Sequence, residues 1–152
     1  NDAYHMVQPL PTGDQAIKSF QLALRDANIK PTDIDHINAH GTSTPLNDKI
    51  ETKIIKQIFG EYAYKIPISA NKSMIGHALG AAGAMELIAS VLTIENQFIP
   101  PTINHEFPDP ECDLDYVPNK GRKSLVNTVL KSSYGFGGKN SAISVKKFQN
   151  SE

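Results

Sequence analysis

The feature that most constrains the fold of this chain is the alternation of helix-like and strand-like segments along its length. Apolar residues recur every three or four positions in two segments, which is the spacing of helices, and a third helix-like segment is apolar nearly all round. Short, apolar or alternating segments typical of strands lie between them, and two more strands follow, joined by a glycine-rich turn. The order α-β-α-β-α followed by a β-hairpin predicts an α/β fold, with a mostly parallel sheet flanked by helices and a C-terminal antiparallel hairpin.

The predicted boundaries follow from local signals. Asp14 is the expected N-cap of the first helix, and Gly60 is the expected stop of the second. The third helix is apolar nearly all round, so we expect it to be buried. Residues 97–124 contain five prolines and predict irregular structure. The expected helices and strands comprise a helix at 15–27, a strand at 34–38, a second helix ending before Gly60, a strand at 66–69, a turn at 71–77, a helix at 79–94, and strands at 128–132 and 141–148 around the turn 135–138.

Length and composition limit the functional classes. A chain of 152 residues is one domain of ordinary size. Its formal net charge of −1, with no basic cluster, argues against nucleic acid as the main partner. A single cysteine excludes an internal disulfide and predicts a reducing, cytoplasmic compartment. The longest apolar stretch, 78–94, is interrupted by Glu86 and is short for a bilayer span, so we expect no membrane association.

Three loops follow the carboxyl ends of strands, where open α/β sheets bind ligands. They hold His40, His77 and the turn 135–138. If the first two strands are neighbours in the sheet, they lie about 4.8 Å apart, and both imidazoles can then point into one pocket and offer hydrogen bonds or proton transfer. His77 also precedes a helix whose positive end would keep its ring neutral. A role in packing or at the surface is equally open for this pair, and it is our interpretation of His5, His36 and His105.

Other polar residues carry weaker signals. A carboxylate inside an apolar helix is costly unless paired, so Glu86 predicts a partner or an ion. Lys72 alone reads as a solvated cation, and Thr42 and Thr44 as possible caps of the following helix. Acidic neighbours would raise the pKa of Cys112, which predicts a structural thiol. The sequence contains no metal-binding or nucleotide-binding motif, so we expect no metal.

Three motifs then carry a resemblance. They are Asn38-Ala39-His40-Gly41-Thr42-Ser43-Thr44-Pro45 with Asp48, Asn71-Lys72-Ser73-Met74-Ile75-Gly76-His77 with residues 80–83, and Tyr134-Gly135-Phe136-Gly137-Gly138-Lys139-Asn140. In this order they resemble the C-terminal half of the β-ketoacyl-acyl-carrier-protein synthases, most closely the elongating type II condensing enzymes. The resemblance covers essentially all of residues 1–152 and implies one C-terminal thiolase-like domain.

The family resemblance implies an acyltransferase of fatty-acid biosynthesis. Malonyl-carrier protein is decarboxylated, and the carbanion attacks an acyl group held on a cysteine in a decarboxylative Claisen condensation. It implies no cofactor apart from the phosphopantetheine that carries the substrates. The implied partners are acyl carrier protein, the N-terminal half of the same enzyme and a second copy in a homodimer.

The resemblance also implies roles for individual residues. His40 and His77 would bind the malonyl thioester carbonyl where enolate charge develops. Lys72 would fix the histidine environment, with Glu86 supporting it. The remaining implied roles are those of Phe136 as a gate and oxyanion-hole donor, Gly135 and Gly137 as supports of its turn, and Thr42 and Thr44 as ligands of the pantetheine arm.

Some features depart from the family pattern. Elongating synthases commonly carry other residues at Ser132, Tyr134 and Lys139, which leaves a polyketide-type ketosynthase open. The nucleophilic cysteine belongs to the family's N-terminal half, and Cys112 is not its equivalent. We therefore expect a fragment, or one piece of a split enzyme, that is inactive alone. A thiolase is disfavoured because no cysteine follows Cys112, and a non-catalytic partner subunit because both histidines are present.

Overall fold

Helices and strands alternate in the computed structural model, which describes residues 1–148, as the sequence predicts. The helices are α1 (Asp14–Asp26), α2 (Pro45–Phe59), the single-turn α3 (Lys72–Ile75) and α4 (Ala82–Asn96). The strands are β1 (His36–Asn38), β2 (Ile68–Ser69), β3 (Phe98–Ile99), β4 (Arg122–Lys123), β5 (Thr128–Gly135) and β6 (Lys139–Lys146). Short 3₁₀ turns lie at Pro31–Asp33, Gly60–Tyr64 and Leu79–Ala81.

The main sheet has the strand order β2-β1-β5-β6. β1 runs parallel to both β2 and β5, whereas β6 returns antiparallel to β5 as the predicted hairpin. Asn38, at the end of β1, lies opposite Ser69 of β2 and Lys131 of β5. The predicted fold class is therefore confirmed, and the loops after β1 and β2 leave the sheet side by side.

Two apolar clusters pack on opposite faces of the sheet. Successive residues of a strand point to opposite faces, and the neighbours Val129 and Leu130 accordingly belong to different clusters. Leu130 packs with α1 and α2 through side chains such as Phe20 and Ile55. Val129 packs in a smaller cluster with Ile94 of α4. α2 and α4 therefore approach the sheet from opposite sides.

The structure confirms the predicted C-terminal boundary of α2 but not the predicted N-cap of α1. Gly60 caps the C-terminus of α2, as predicted, with a positive φ of 54°. The prediction of Asp14 as an N-cap is wrong, because Gly13 occupies that position and Asp14 is the first helical residue. An acidic side chain in the first turn is still favourable beside the positive end of the helix.

The expectation that the third helix is buried all round is wrong. α4 starts at Ala82, after a 3₁₀ turn over Leu79–Ala81. Its buried positions are mostly small or polar, and they include Glu86 and Ser90. Its opposite face is apolar and exposed, at Met85, Ile88, Val91 and Leu92. Nothing else in the described part of the chain covers this face.

The remaining differences concern short elements. Residues 97–124 are not wholly irregular, since β3 and β4 pair antiparallel within them. The predicted turn 71–77 contains the helix α3, and the strands predicted at 34–38 and 66–69 are shorter. The last hairpin is longer than expected at its turn, because pairing continues until Gly135 lies opposite Lys139. No helix within residues 1–148 is long and apolar enough to cross a membrane.

Candidate active site

The loops after β1 and β2 meet at the carboxyl edge of the sheet, and Gly41 makes the close approach possible. Its φ is 43°, and a Cβ atom at this position would lie 2.5 Å from the Cβ atom of Ala70. Any side chain would push the two loops apart. The contact between these loops brings His40 and Lys72 together.

The two candidate histidines meet edge to face. The ring centroids of His40 and His77 are 5.7 Å apart, with an interplanar angle of 86°. His40 is buried and His77 is exposed. The strand order therefore brings together the two imidazoles that the sequence singled out.

Lys72 fixes the orientation and tautomer of His40. Its ammonium group donates to the His40 carbonyl oxygen at 2.5 Å and lies 3.3 Å from the His40 Nδ1 atom. An ammonium group only donates, so Nδ1 accepts and the ring proton lies on Nε2. Burial, followed by the charges of Lys72, His77 and Lys131, lowers the pKa of His40 to about 3. His40 is therefore a neutral ring with an Nε2–H donor.

His77 has the same tautomer for a different reason. The backbone N–H of Leu79 donates to the His77 Nδ1 atom at 3.1 Å. This leaves Nε2–H free to donate. The helix whose N-terminus is predicted to keep the His77 ring neutral starts only at Ala82. The effect of its dipole on His77 stays a prediction.

Glu86 has the partner that the sequence predicted, and also a second one. It is fully buried on α4 and forms an ion pair with Lys72. Lys131 of β5 approaches its other carboxylate oxygen to 2.9 Å. The side chains of the two lysines are only 5% and 3% exposed, so the three charges are almost completely removed from water.

A second buried glutamate, Glu51 of α2, was missed. Its carboxylate accepts the backbone N–H groups of His40 and Gly41, both at 2.9 Å, and the Ser132 hydroxyl at 2.7 Å. Burial raises the pKa of Glu51, and these donors partly offset the rise. Glu51 precedes Ile54 and Ile55 by one helical turn, so an acid on the apolar face of α2 is the signal that could have identified it.

Lys131 was missed for a similar reason. It follows Val129 and Leu130 in a buried strand, and a charge in such a strand requires a partner just as Glu86 does. Tyr134 was named only as a departure from the family pattern. Its ring lies edge-on to His40, with centroids 5.2 Å apart. Tyr134 therefore packs against the His40 ring from β5, while Lys131 reaches Glu86.

A cavity of about 670 Å³ opens beside the histidines. Lys72, His77, Thr42 and Thr44 are among the residues that line it, and the two threonine hydroxyls lie 2.9 Å apart. His77 is among the lining residues and His40 is not, although the two ring centroids are 5.7 Å apart. That both rings share one pocket stays a prediction. Thr44 is the N-cap residue of α2 but forms no side-chain capping bond, so the hydroxyls remain available to a ligand.

The C-terminal turn lies at the same edge of the sheet. Phe136 is 68% exposed at its tip and does not line the cavity. Gly137 adopts a φ of 78°, and its N–H donates to the Met6 carbonyl oxygen at 2.7 Å. The turn is thus tied to the start of the chain, and the structure does not place the Phe136 ring against either imidazole.

The remaining candidates have structural surroundings. His36 is fully buried against the Ser69 hydroxyl at 3.0 Å, and burial, with a smaller effect of Arg122, lowers its pKa to about 3. Burial raises the pKa of the Cys112 thiol, and Asp109 adds to the rise, as the sequence predicted. Within residues 1–148 no three His, Cys, Asp or Glu side chains are grouped to hold a metal ion.

Comparison with known proteins gives consistent relatives. Residues 1–106 match the family model described as the C-terminal domain of β-ketoacyl synthase. The chain is 51% identical over 148 residues to a 3-oxoacyl-[acyl-carrier-protein] synthase 2 from Synechocystis sp., which covers 97% of this chain and 36% of that protein. A synthase of the same name from Coxiella burnetii is 51% identical over 142 residues, covering 93% of this chain and 34% of that protein. The chain therefore spans about a third of the length of these curated relatives.

Solved structures agree with these relatives. A ketosynthase described in complex with its type II polyketide acyl-carrier protein and bound to a hexaketide has a TM-score of 0.94 and 47% identity, covering 97% of this chain and 36% of that one. The ishigamide ketosynthase/chain length factor has a TM-score of 0.91 and 41% identity, over 97% of this chain and 36% of that chain.

Proposed function

Because this chain belongs to the family of β-ketoacyl synthase C-terminal domains, we propose that it supplies the decarboxylating half of the active site of a 3-oxoacyl-acyl-carrier-protein synthase. The observation that carries the proposal is the edge-to-face pair of His40 and His77, each with Nδ1 accepting and Nε2–H left to donate. Two fixed donors of this kind suit an oxygen on which negative charge develops.

The proposed reaction starts with malonyl thioester bound through its carbonyl oxygen to the two Nε2–H groups. The bond between the α-carbon and the carboxylate breaks, carbon dioxide leaves, and the electron pair spreads over the α-carbon and the thioester oxygen. The α-carbon then attacks the acyl carbonyl, a carbon–carbon bond forms, and the nucleophilic cysteine leaves as thiolate. The imidazoles stabilise the enolate throughout without taking a proton.

Lys72 and Glu86 support this chemistry in the proposal by holding His40 in one tautomer. Thr42 and Thr44 line the cavity and are proposed to bind the pantetheine arm. Phe136, flanked by Gly135 and Gly137, is proposed as the gate beside the nucleophile, with its backbone N–H in the oxyanion hole. Its exposure at the turn allows such a movement. No resident cofactor is required, since phosphopantetheine carries both substrates.

The proposed partners are acyl carrier protein, the N-terminal half that contributes the cysteine, and a second copy in a homodimer. A similar ketosynthase is described in complex with its carrier protein, which supports the first of these. The exposed apolar face of α4 supports the second, because such a face is favourable only when covered. The proposed location is the cytoplasm.

The test is a pair of substitutions, His40→Ala and His77→Ala, made in the complete synthase. Each is expected to lower the rate of malonyl decarboxylation by at least about 100-fold, because one enolate donor is lost. Acylation of the cysteine, measured by intact mass, should survive. The control is His5→Asn, an exposed histidine outside the site. Normal decarboxylation together with loss of acyl transfer would contradict the proposal.

A second candidate is a polyketide ketosynthase, because a solved relative at 47% identity is described as one bound to a hexaketide. The two functions differ in the chain that is extended. Mass spectrometry of products made from saturated acyl-carrier protein and from β-ketoacyl-carrier protein separates them. Extension of the saturated chains alone supports the fatty-acid function.

A further inference from the structure

Two buried lysines share one buried glutamate beside the histidines. Lys72 pairs with one carboxylate oxygen of Glu86, and Lys131 lies 2.9 Å from the other. Lys72 also contacts His40, at the His40 carbonyl oxygen and at the His40 Nδ1 atom. Lys131 has no role in the reaction as proposed above, although it extends the same chain of contacts by one residue.

The charge of this cluster is unbalanced. Two ammonium groups face a single carboxylate, so one positive charge remains in a region where all three side chains are at most 5% exposed. A simple Lys72–Glu86 pair would be neutral. Burial of a further cation is costly, and charges interact more strongly where water is excluded. The extra positive charge therefore acts on the His40 ring, which is in contact with Lys72.

The surroundings of His40 show which groups share this field. The charged or titratable groups around it are Lys72 and His77 from the loop after β2, Tyr134 and Lys131 from β5, Glu51 from α2 and Glu86 from α4. The charge of Lys72 also acts on the Asp48 carboxyl group of α2. Glu51 acts on the backbone N–H of His40, while Lys72 acts on its ring. Glu86 pairs with Lys72 through one carboxylate oxygen and with Lys131 through the other.

We propose that Lys131 is a positioning residue for His40, which acts by sharing Glu86 and so leaves Lys72 as an uncompensated cation directed at the His40 ring. This inference rests on the function proposed above. It assigns a reason for a lysine in the middle of a buried strand. Lys131 is also one of the charges that lower the pKa of His40, and its contribution is smaller than that of Lys72.

In the reaction, this charge would keep the His40 ring in the tautomer that carries its proton on Nε2. With an unbalanced positive charge next to Nδ1, a proton on that atom is disfavoured, so the ring stays neutral and Nε2–H stays the donor. The same charge also favours the enolate that forms at the donor side. Without Lys131, Glu86 would neutralise Lys72 and both effects would weaken.

The experiment uses Lys131→Met in the complete synthase, because methionine keeps most of the side-chain volume and removes the charge. One readout is kcat/KM for decarboxylation of malonyl N-acetylcysteamine against pH, whose acid limb reports groups of the free enzyme. The other is the ¹³C titration of the His40 ring. Both midpoints should move upward, by up to about one pH unit. Lys146→Met, an exposed lysine of the neighbouring strand β6, is the matched control and should leave both in place.

A double variant separates charge from structure. Lys131→Met with Glu86→Gln again leaves one positive charge, on Lys72, so its His40 midpoint should return toward the wild-type value. If Lys131→Met does not fold, the comparison is between Glu86→Gln and the double variant, which should have the higher midpoint. A merely structural lysine predicts a lower melting temperature with unmoved midpoints, which would overturn the inference. Shifted midpoints in a protein that does not decarboxylate malonyl thioester would overturn the proposed function alone.

Discussion

The two buried glutamates of this domain are stabilised away from water by different kinds of partner. Glu51 approaches the sheet from α2 and Glu86 approaches it from α4, on the opposite face. Glu51 is surrounded by neutral donors, which are two backbone N–H groups and the hydroxyl of Ser132. Glu86 is instead surrounded by two ammonium groups. Glu51 contacts the backbone of His40 directly, whereas Glu86 acts on the His40 ring through Lys72.

The two sets of partners have different consequences, because those of Glu51 are neutral and those of Glu86 are charged. Neutral donors stabilise a buried carboxyl group while adding no net charge, so Glu51 holds the loop after β1 in place without bringing a positive charge to it. Two lysines overcompensate Glu86, and in the proposed reaction this positive charge lies beside the histidine that faces the developing anion. One acid therefore fixes the backbone of His40, and in our proposal the other sets the charge beside its ring.

Removal of Glu86 should have the largest effect. Glu86→Ala leaves Lys72 and Lys131 buried and unpaired, and loss of one partner of a buried ion pair typically costs about 3–5 kcal/mol. We expect a decrease of that size in the free energy of unfolding measured by urea denaturation. Glu95→Ala, an exposed acid of the same helix, is the control and should change it by less than about 0.5 kcal/mol. A loss below about 1 kcal/mol would show that the lysines find other partners.

The Glu86 site also shows how far sequence reasoning reaches. A carboxylate in an apolar helix requires a partner, so its burial and pairing could be predicted from residue types alone. The alternation of helices and strands likewise predicted the sheet, and with it the meeting of His40 and His77. These inferences rest on periodicity and on the fact that parallel strands end at one edge.

The partner in space could not be predicted. Lys131 lies 45 positions after Glu86, and only the packing of α4 on β5 joins them. The apolar face of α4 was predicted as buried because hydropathy does not say which other element covers it.

Glu51→Gln should have a smaller effect than Glu86→Ala, and one that depends on pH. Glutamine keeps one acceptor but offers an amide group to donors that already point at the site. Unsatisfied buried groups cost about 1–3 kcal/mol, and we expect a decrease in the free energy of unfolding within that range at neutral pH. Guanidinium or urea titrations of the wild type and the variant provide the measurement.

The decrease in stability caused by Glu51→Gln should differ between acidic and neutral pH. The pKa of Glu51 is raised in the folded state above its ordinary value of 4.5. Between that value and the raised one, the folded chain keeps a proton that the unfolded chain releases, so stability falls as pH rises through this window. Glu51→Gln removes this contribution, and the cost of the substitution should therefore be larger at pH 4 than at pH 7. An equal cost at both pH values would mean that folding leaves the pKa of Glu51 unchanged.

Tyr134→Phe should have the smallest effect and the opposite sign. The Tyr134 hydroxyl is buried and has no hydrogen-bond partner among residues 1–148, while its ring packs edge-on against His40. Phenylalanine keeps the ring contact and removes the unsatisfied hydroxyl, so the free energy of unfolding should stay the same or rise by up to about 1 kcal/mol. The hydroxyl also lies near Glu51, whose charge helps to raise the pKa of Tyr134, after burial as the main cause. A loss of more than about 1 kcal/mol would instead show that the hydroxyl has a partner in the folded protein, such as an ordered water molecule between Tyr134 and Glu51.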